Sequence, residues 1–364
     1  MQKHRWIVLG IFVVAIVAIA GFYAKQRWRS GTSDSRKELL ARLPADADAI
    51  AYLDAARLRQ SEFLQALVTW AAKPNEDSDY VQFVKDTGFD YERDLDAVAL
   101  ATKSDAQTPI LVAVAKGRFD KKKIAAFAEH SGKKEMQGSR EIFHVPLSGE
   151  KGEISFFFIG SDEIELSNAP SFEASQSSNA MGASAWRTRF ERLAGSPIFA
   201  VIRRDASTNA IPAQGPGGFQ SPQLASLLNQ LSWISIAGVP DGSQMQIVCD
   251  GETTDSSLAL QLSDFLNGLV VMGEAGLNDP KVQQHLDHDT SEAYMQVLKT
   301  ADISRVDRGA TKSVRVVLSI SPKLLATART IPDAVSAPAQ AETQTTKKKS
   351  TVKNGTAPKQ SHNE

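Results

Sequence analysis

Cysteine and histidine are both scarce in this chain. Cys249 is the one cysteine among 364 residues, which excludes an internal disulfide framework and any zinc or iron–sulfur site built from several thiolates. Six histidines occur in the whole sequence. Nucleophile–base pairs and metal centres therefore have few side chains to draw on. The histidines between residues 31 and 331 are His130, His144, His285 and His288.

The sequence motifs of common enzyme classes are also missing. The chain has no P-loop, dinucleotide-binding fingerprint, nucleophile elbow or metalloprotease helix motif. The glycines in residues 215–218 lie in a polar stretch, without the strand–loop–helix context that phosphate binding requires. We therefore predict no catalytic residue, no cofactor-binding residue and no cofactor, and we lean against an enzyme.

The central part of the chain has an excess of acidic residues. The whole chain has a formal net charge of −1, residues 1–30 contribute +5 and residues 332–364 contribute +2, so residues 31–331 carry −8. The composition, 42% hydrophobic and 23% charged, is typical of a globular protein. It excludes a collagen-like, coiled-coil, wholly disordered or polytopic membrane protein. The central part exceeds the length of one ordinary domain, so we expect two domains or a duplicated unit.

One long apolar run is present, at residues 7–23, with Ile7 and Tyr23 at its ends. The run has no charged residue and is bordered by basic residues on both sides. A helix over residues 6–24 would reach about 28 Å, close to the hydrocarbon thickness of a bilayer. The sequence therefore predicts a single-pass membrane anchor that has the lipid bilayer as its partner.

The orientation of this anchor is only weakly indicated. Basic residues flank both ends of the apolar run, so the positive-inside rule does not decide. The short basic N-terminus favours an N-inside orientation, which places the central part in the periplasm or outside the cell. The runner-up is a cleaved secretory signal, because residues 18–20 have the small-x-small form of a cleavage site.

The C-terminal residues, 332–364, are rich in Ala, Thr, Pro, Gln and Lys and contain almost no large apolar side chain. Such a segment cannot bury enough apolar surface to offset its conformational entropy, so we expect a disordered basic tail. Its lysines could contact an anionic surface, and the alternative is a solubilising tail without a partner. Nucleic acid is not an expected partner.

The pattern over residues 31–169 predicts a first α+β unit with the order β-α-α-β-β-α-β-β-β. A helix that begins after Asp120 follows a strand pair in this unit, because Asp is a common N-cap residue. The predicted strands lie at 49–54, 97–102, 110–115, 141–147, 153–159 and 163–167, and the predicted helices at 57–72, 80–87 and 120–132.

Residues 196–331 repeat much of this order and predict a second, similar α+β unit, joined to the first by a linker and short helix over 170–195. Gly117 to Asp120 at the strand-to-helix joint then corresponds to Gly251 to Thr254. We expect mainly antiparallel sheets and an internal duplication, and the alternative is a chance resemblance of generic segments. The predicted strands lie at 198–203, 233–238, 244–249 and 314–320, and the predicted helices at 223–231 and 258–271.

Three stretches carry a resemblance to other proteins: LPADADAIAYLD at 43–54, TGFDYERDLDAVALA at 87–101 and KGRFDKKKIAAF at 116–127. Together with the N-terminal apolar run, they resemble a loose group of uncharacterised bacterial single-pass membrane-anchored proteins with a duplicated α+β body. The resemblance covers roughly residues 40–160. It implies an architecture in the bacterial envelope and no particular activity.

The nearest approach to a metal site in the sequence is the segment 285–289. His285 and His288 share one face of a helix and Asp289 lies near His285, so zinc ligands could converge there. The alternative, which we favour, is a polar helix end without metal.

A second acidic group and the single thiol are further candidates. The carboxylates between residues 86 and 96 have the spacing of calcium ligands but lack the remaining features of an EF-hand, so we favour a solvated turn in which Asp94 caps a short segment. Cys249 alternates with Met245 and Ile247, which predicts a buried thiol. The acidic group consists of Asp86, Asp90, Glu92, Asp94 and Asp96.

These patterns favour a membrane-anchored, non-catalytic binding or scaffolding module with a protein or envelope polymer as its partner. Two alternatives stay open: an envelope hydrolase or metalloenzyme whose site comes from residues distant in sequence, and a cytoplasm-facing anchored adaptor. Convergent polar residues in a pocket would favour the enzyme, whereas an exposed apolar patch would favour the binding module.

Overall fold

The computed structural model describes residues 33–70, 78–104, 109–146, 153–169, 172, 179–204, 221–284 and 288–328. The predicted anchor at residues 7–23 and the predicted tail at 332–364 lie outside these ranges. Within them, every helix is too short or too polar to span a bilayer.

The described residues form one twelve-stranded sheet in which every pair of neighbouring strands is antiparallel. The strand order is β11-β12-β10-β9-β8-β1-β2-β3-β7-β6-β5-β4. The prediction of an α+β fold with antiparallel strands is therefore confirmed. The strands are β1 Ala49–Asp54, β2 Leu95–Lys103, β3 Ile110–Gly117, β4 Lys133–Gln137, β5 Arg140–Pro146, β6 Glu153–Phe158, β7 Glu163–Ser167, β8 Ile198–Arg203, β9 Trp233–Asp241, β10 Gln244–Thr253, β11 Asp302–Arg308 and β12 Thr311–Ile320.

Helices cover both faces of this sheet. Short ones follow β1, and the longest follows β10. Their bounds are α1 Ser33–Ala41, α2 Ala55–Arg59, α3 Glu62–Trp70, α4 Ser78–Thr87, α5 Tyr91–Asp94, α6 Lys121–Ser131, α7 Ser184–Arg192, α8 Pro222–Leu228, α9 Ser256–Leu277, α10 Pro280–Gln283, α11 His288–Thr300 and α12 Pro322–Ala328.

The central strand pair, β1 with β8, joins the two halves of the chain. Ile50 pairs with Val201 and Tyr52 pairs with Phe199. From this pair outward, the order β1-β2-β3-β7-β6 mirrors the order β8-β9-β10-β12-β11. A mirrored order is what a duplicated unit would give, and the duplication itself stays a prediction. The two predicted units therefore share one sheet.

A single hydrophobic core lies on one face of the central strands and is built from both halves. Tyr52 stacks on Phe199 across the central pair, with 5.5 Å between the ring centroids. Helices α1 and α7 cover this face, because Leu39 of α1 and Trp186 of α7 are fully buried in the same cluster. Each such side chain contributes about 1.5–3 kcal/mol of burial free energy. The opposite face carries separate apolar clusters under α3, α6 and α9.

Two strands were not predicted because their sequences lack the alternation of a half-buried strand. β4 reads KKEMQ and is almost wholly exposed at one edge of the sheet. β11 reads DISRVDR and forms the other edge. Charged residues on edge strands oppose the addition of further strands. The same charges remove the apolar pattern by which a strand is predicted from sequence.

Several predicted boundaries were wrong, among them the following three. The helix predicted at 57–72 is two helices, because the Ser61 hydroxyl accepts a hydrogen bond from the Leu64 amide and starts a new helix. Helix α9 begins after Asp255, whose carboxylate accepts from the Ser257 amide, and not at Thr254. Strand β10 runs on through Thr253, and the residue that caps the following helix is Asp255, one residue later than predicted.

Buried carboxylates on β10 hold arginines of other elements. Glu252 is 2% exposed and forms ion pairs with Arg189 and Arg192 of α7. Two residues earlier, Asp250 accepts hydrogen bonds from Arg315 at 3.0 and 2.8 Å. Charge-assisted pairs of this kind fix geometry, and here they fasten α7 to the second half of the sheet.

We expect Glu252→Gln to lower the free energy of unfolding by about 3 kcal/mol, because two arginines would lose their shared buried partner. Urea unfolding followed by circular dichroism measures this change. Glu191→Gln, at an exposed position of α7, should change the free energy of unfolding by less than about 0.5 kcal/mol. Equal effects of the two substitutions would contradict the role given to Glu252.

Candidate functional site

Two of the three candidate zinc ligands, His288 and Asp289, lie within the described residues. His285 lies outside the described residues, whereas His288 and Asp289 form the first turn of α11. The Asp289 carboxylate lies 2.6 Å from the Lys323 ammonium group. Among the described residues, no three His, Cys, Asp or Glu side chains lie close enough together to hold a metal ion.

The acidic group around Gly88 is arranged by arginines. Asp94 lies 2.6 Å from Arg93 and 3.1 Å from Arg118, and Asp96 lies 3.4 Å from Arg59. Burial acts to raise the pKa of Asp94, but hydrogen bonds from Arg93 and the backbone outweigh it and leave that pKa below its ordinary value. These carboxylates therefore have partners within the protein.

The cap of the short helix α5 also differs from the prediction. Asp90, and not Asp94, is the N-cap residue, because its carboxylate accepts a hydrogen bond from the Glu92 amide at 3.0 Å. The same carboxylate accepts a hydrogen bond from the Tyr80 hydroxyl at 3.0 Å. Asp94 instead accepts a hydrogen bond from the Asp90 amide, so the two carboxylates close this turn from both ends.

Cys249 lies half-buried on β10, opposite Ile236 of β9 and Val316 of β12. Burial, together with the neighbouring Asp250 carboxylate, raises the pKa of the thiol to about 11. The thiol is thus protonated at neutral pH, and only a thiolate acts as a nucleophile or metal ligand. This environment agrees with a structural thiol.

A polar row that sequence reasoning missed crosses β4, β5 and β6. The His144 Nδ1 atom lies 2.8 Å from the Ser155 hydroxyl and 3.4 Å from Glu153, and its Nε2 atom lies 3.6 Å from Glu135. A nucleophile, a base and a carboxylate are the components of acyl-transfer sites. Ser155, however, is 3% exposed, so its hydroxyl is closed to a substrate in this conformation. These residues come together only through strand register, which no short motif encodes.

Glu165 is a buried acid on the same face of the sheet as Ser155. It is 5% exposed on β7 and lies beside Val114 of β3 in the strand register. Burial raises the pKa of Glu165 to about 6, against the weaker attraction of Arg140 and Arg42. The carboxylate therefore carries a cost of burial that the neighbouring cations only partly offset.

Helix α9 has two halves with different environments. Its first half buries Leu258 and Leu262 against Leu227 of α8 and Val314 of β12. The second half has no buried residue, although residues 265–273 contain no charged side chain. This long helix thus continues, as an apolar surface, beyond the core that its first half helps to form.

The exposed side of this second half is a regular stripe. Val271 is 65% exposed and Met272 is 61% exposed, and Gly268 and Ala275 flank them in the exposed class. The four positions have the spacing i, i+3, i+4 and i+7, which places them on one face of the helix. We call them the α9 stripe. A helix-sized apolar face of this kind is the feature by which one helix recognises another.

Helix α11 supports the α9 stripe from behind. A side chain at Gly273 would meet Leu298 of α11 at 3.0 Å, so glycine at this position permits close packing of the two helices. The predicted end of the helix, residue 271, was six residues too early. The sequence feature that indicated a longer helix is the apolar run 269–272, because it contains no polar residue that would end a helix there.

No protein-family model and no curated protein matches the sequence. Among solved structures, the chain is similar to TP0453 in crystal form IV, with 10% identity, coverage of 82% of this chain and 98% of that chain, and a TM-score of 0.41. Crystal form I of TP0453 gives 10% identity, 83% and 98% coverage, and a TM-score of 0.40. These values are too low to carry an argument about function.

Glu165 makes a contribution to stability that depends on pH. Its pKa is raised from 4.5 to about 6 in the folded state, so the contribution is fully present below pH 4.5 and is lost as the pH rises through about 6. The effect of Glu165→Gln on the free energy of unfolding should therefore depend on pH. We expect this effect to be about 2 kcal/mol more stabilising at pH 8 than at pH 4. Urea midpoints at the two pH values measure this, with the exposed Glu38→Gln as control. A difference that does not change with pH would contradict it.

Proposed function

We propose that the chain is a membrane-anchored, non-catalytic binding or scaffolding module whose central part faces the periplasm or the cell exterior. The observation that carries the proposal is the α9 stripe, with Val271 and Met272 each more than half exposed. Full burial of a Val or Met side chain would contribute about 1.5–3 kcal/mol relative to its exposure to water. A contiguous exposed apolar patch is the mark of a contact surface.

The edges of the sheet support a helix face, rather than a strand, as the contact surface. β4 presents Lys133, Lys134 and Glu135, and β11 carries exposed charges at Asp302, Arg305 and Asp307. Because charged edge strands oppose pairing with another chain, strand addition is disfavoured at both ends. The α9 stripe has no such protection within the described residues.

The membrane part of the proposal rests on the uncharged run at residues 7–23 with its basic flanks. With an N-inside orientation, this anchor would hold the central part beside the outer leaflet. Membership of the group of bacterial membrane-anchored proteins with a duplicated body belongs to the same proposal, and so does contact of the basic tail with anionic surfaces. A cytoplasm-facing adaptor differs only in the side of the membrane.

An envelope hydrolase or metalloenzyme is the second candidate, and the row of His144, Ser155 and two glutamates favours it. His144 and Ser155 are within hydrogen-bond distance at 2.8 Å. The arrangement would need a movement that opens Ser155 to substrate, since its residue is buried. Loss of a hydrolytic activity in Ser155→Ala, with an unchanged urea midpoint, would promote this candidate over the binding module.

The binding role is tested by a photoreactive phenylalanine derivative at position 272. We expect irradiation of cells to give a defined protein adduct from this position. Gln261, on an exposed position in the first half of the same helix, is the matched control and should give a weaker adduct. Equal yields, or no adduct from position 272, would contradict the binding role.

The anchor is tested by carbonate extraction of membranes. We expect the full-length chain to stay in the membrane fraction at high pH, because an uncharged apolar run of this length inserts stably. Deleting residues 7–23 should release the protein. Release of the intact full-length chain would reject the anchor, and a shortened mature chain would indicate cleavage after residues 18–20.

A further inference from the structure

We infer that the partner segment that occupies the α9 stripe is an apolar helix flanked by Lys or Arg. This inference rests on the proposed binding function and adds the chemistry of the partner. The α9 stripe supplies the shape of the contact, and the charges along α9 supply its polarity.

The shape favours a helix as the occupant. Val271 and Met272 form the centre of the α9 stripe, with Gly268 and Ala275 one turn away on either side. Space beside Gly268 is open, since no atom other than those of its chain neighbours and of the backbone of α9 itself lies within 4 Å of the position that a Cβ atom would take there. Small residues flanking a large pair let the backbone of a second helix approach closely, and the partner's large side chains can fill the space above them.

The charges of α9 all have one sign. Asp264 lies one turn before Gly268 on the exposed side, and Glu274 borders the α9 stripe near its end. Helix α9 contains no Lys or Arg, and no basic residue lies in its last turn to balance the negative end of the helix dipole. A segment with cations on both sides of an apolar face complements this surface.

The same charges argue against two other occupants. A second copy of α9 would add only carboxylates to the contact, because α9 carries Asp264 and Glu274 and no Lys or Arg, so it offers no charge complementarity. An anionic lipid surface would also be repelled, because helices that lie on such membranes carry Lys and Arg on their polar face. Both therefore become outcomes that would overturn the inference.

The test uses the full chain in its own membranes, with a photoreactive phenylalanine derivative at position 271 and sequencing of the cross-linked peptide. We expect a peptide with apolar residues spaced i, i+3, i+4 and with Lys or Arg within two turns on both sides. The double variant D264N/E274Q should lower the yield of this adduct about fivefold, since two exposed charge contacts are lost. Raising the salt concentration should lower the yield in the same direction.

The control E62Q/E191Q removes the same charge from exposed positions on α3 and α7 and should leave the yield within about twofold. Urea midpoints check that both double variants fold. Cross-links into α9 of a second copy, into lipid, or into a segment with acidic flanks would overturn the inference, as would a yield that D264N/E274Q leaves unchanged. In those cases an adduct from position 271 that M272D abolishes would still support the binding function, whereas the absence of any adduct from position 271 would reject both.

Discussion

The antiparallel pairing of β1 with β8 is the constraint on which the rest of the structure depends. It brings Tyr52 of one half against Phe199 of the other and places both in a core that neither half could close alone. Arg36 of α1 lies 4.7 Å above the Phe199 ring and donates a hydrogen bond of 2.7 Å to the Phe190 carbonyl oxygen. Helices α1 and α7 are thereby fixed to each other over this strand pair.

Around this centre, polar groups take over where apolar packing ends. On one side Glu252 and Asp250 hold arginines from α7, β11 and β12, and on the other Glu163 lies 3.2 Å from Arg42. Forming these pairs requires desolvation of the charged groups, and the pairs fix the relative positions of the elements that they join. They leave a rigid platform on which the first half of α9 packs and from which its second half continues. The proposed function follows from this division of α9 into a packed half and an exposed half.

The sequence predicted those elements in which local pattern and burial agree. β1, β7 and β8 were predicted at their observed bounds because each is a short apolar or alternating run, and β1 and β7 are almost wholly buried. β4 and β11 were missed because an edge strand need bury nothing, and α9 was cut short because its last residues have neither a buried face nor a polar one. The fold class was thus predictable, but the two edges and the end of α9 depended on tertiary context.

The candidate sites were less accessible to sequence than the fold. The contact of His144 with Ser155 exists only because β5 and β6 pair in one register, and the exposure of Val271 depends on which face of α9 the other elements cover. Short-range spacing instead pointed to His288 and Asp289, whose carboxylate pairs with a lysine from a distant helix. Chemistry that arises across strands cannot be recovered from spacing along the chain.

Hydrogen exchange across a urea series, on the full chain, tests the shared core most directly. Peptides from β1–β3 and from β8–β10 should lose protection at the same urea concentration, because the two halves close one core across the central pair. A single midpoint for both sets is the result that this account predicts. Two midpoints separated by more than about 1 M urea would show that each half has its own core and would contradict it.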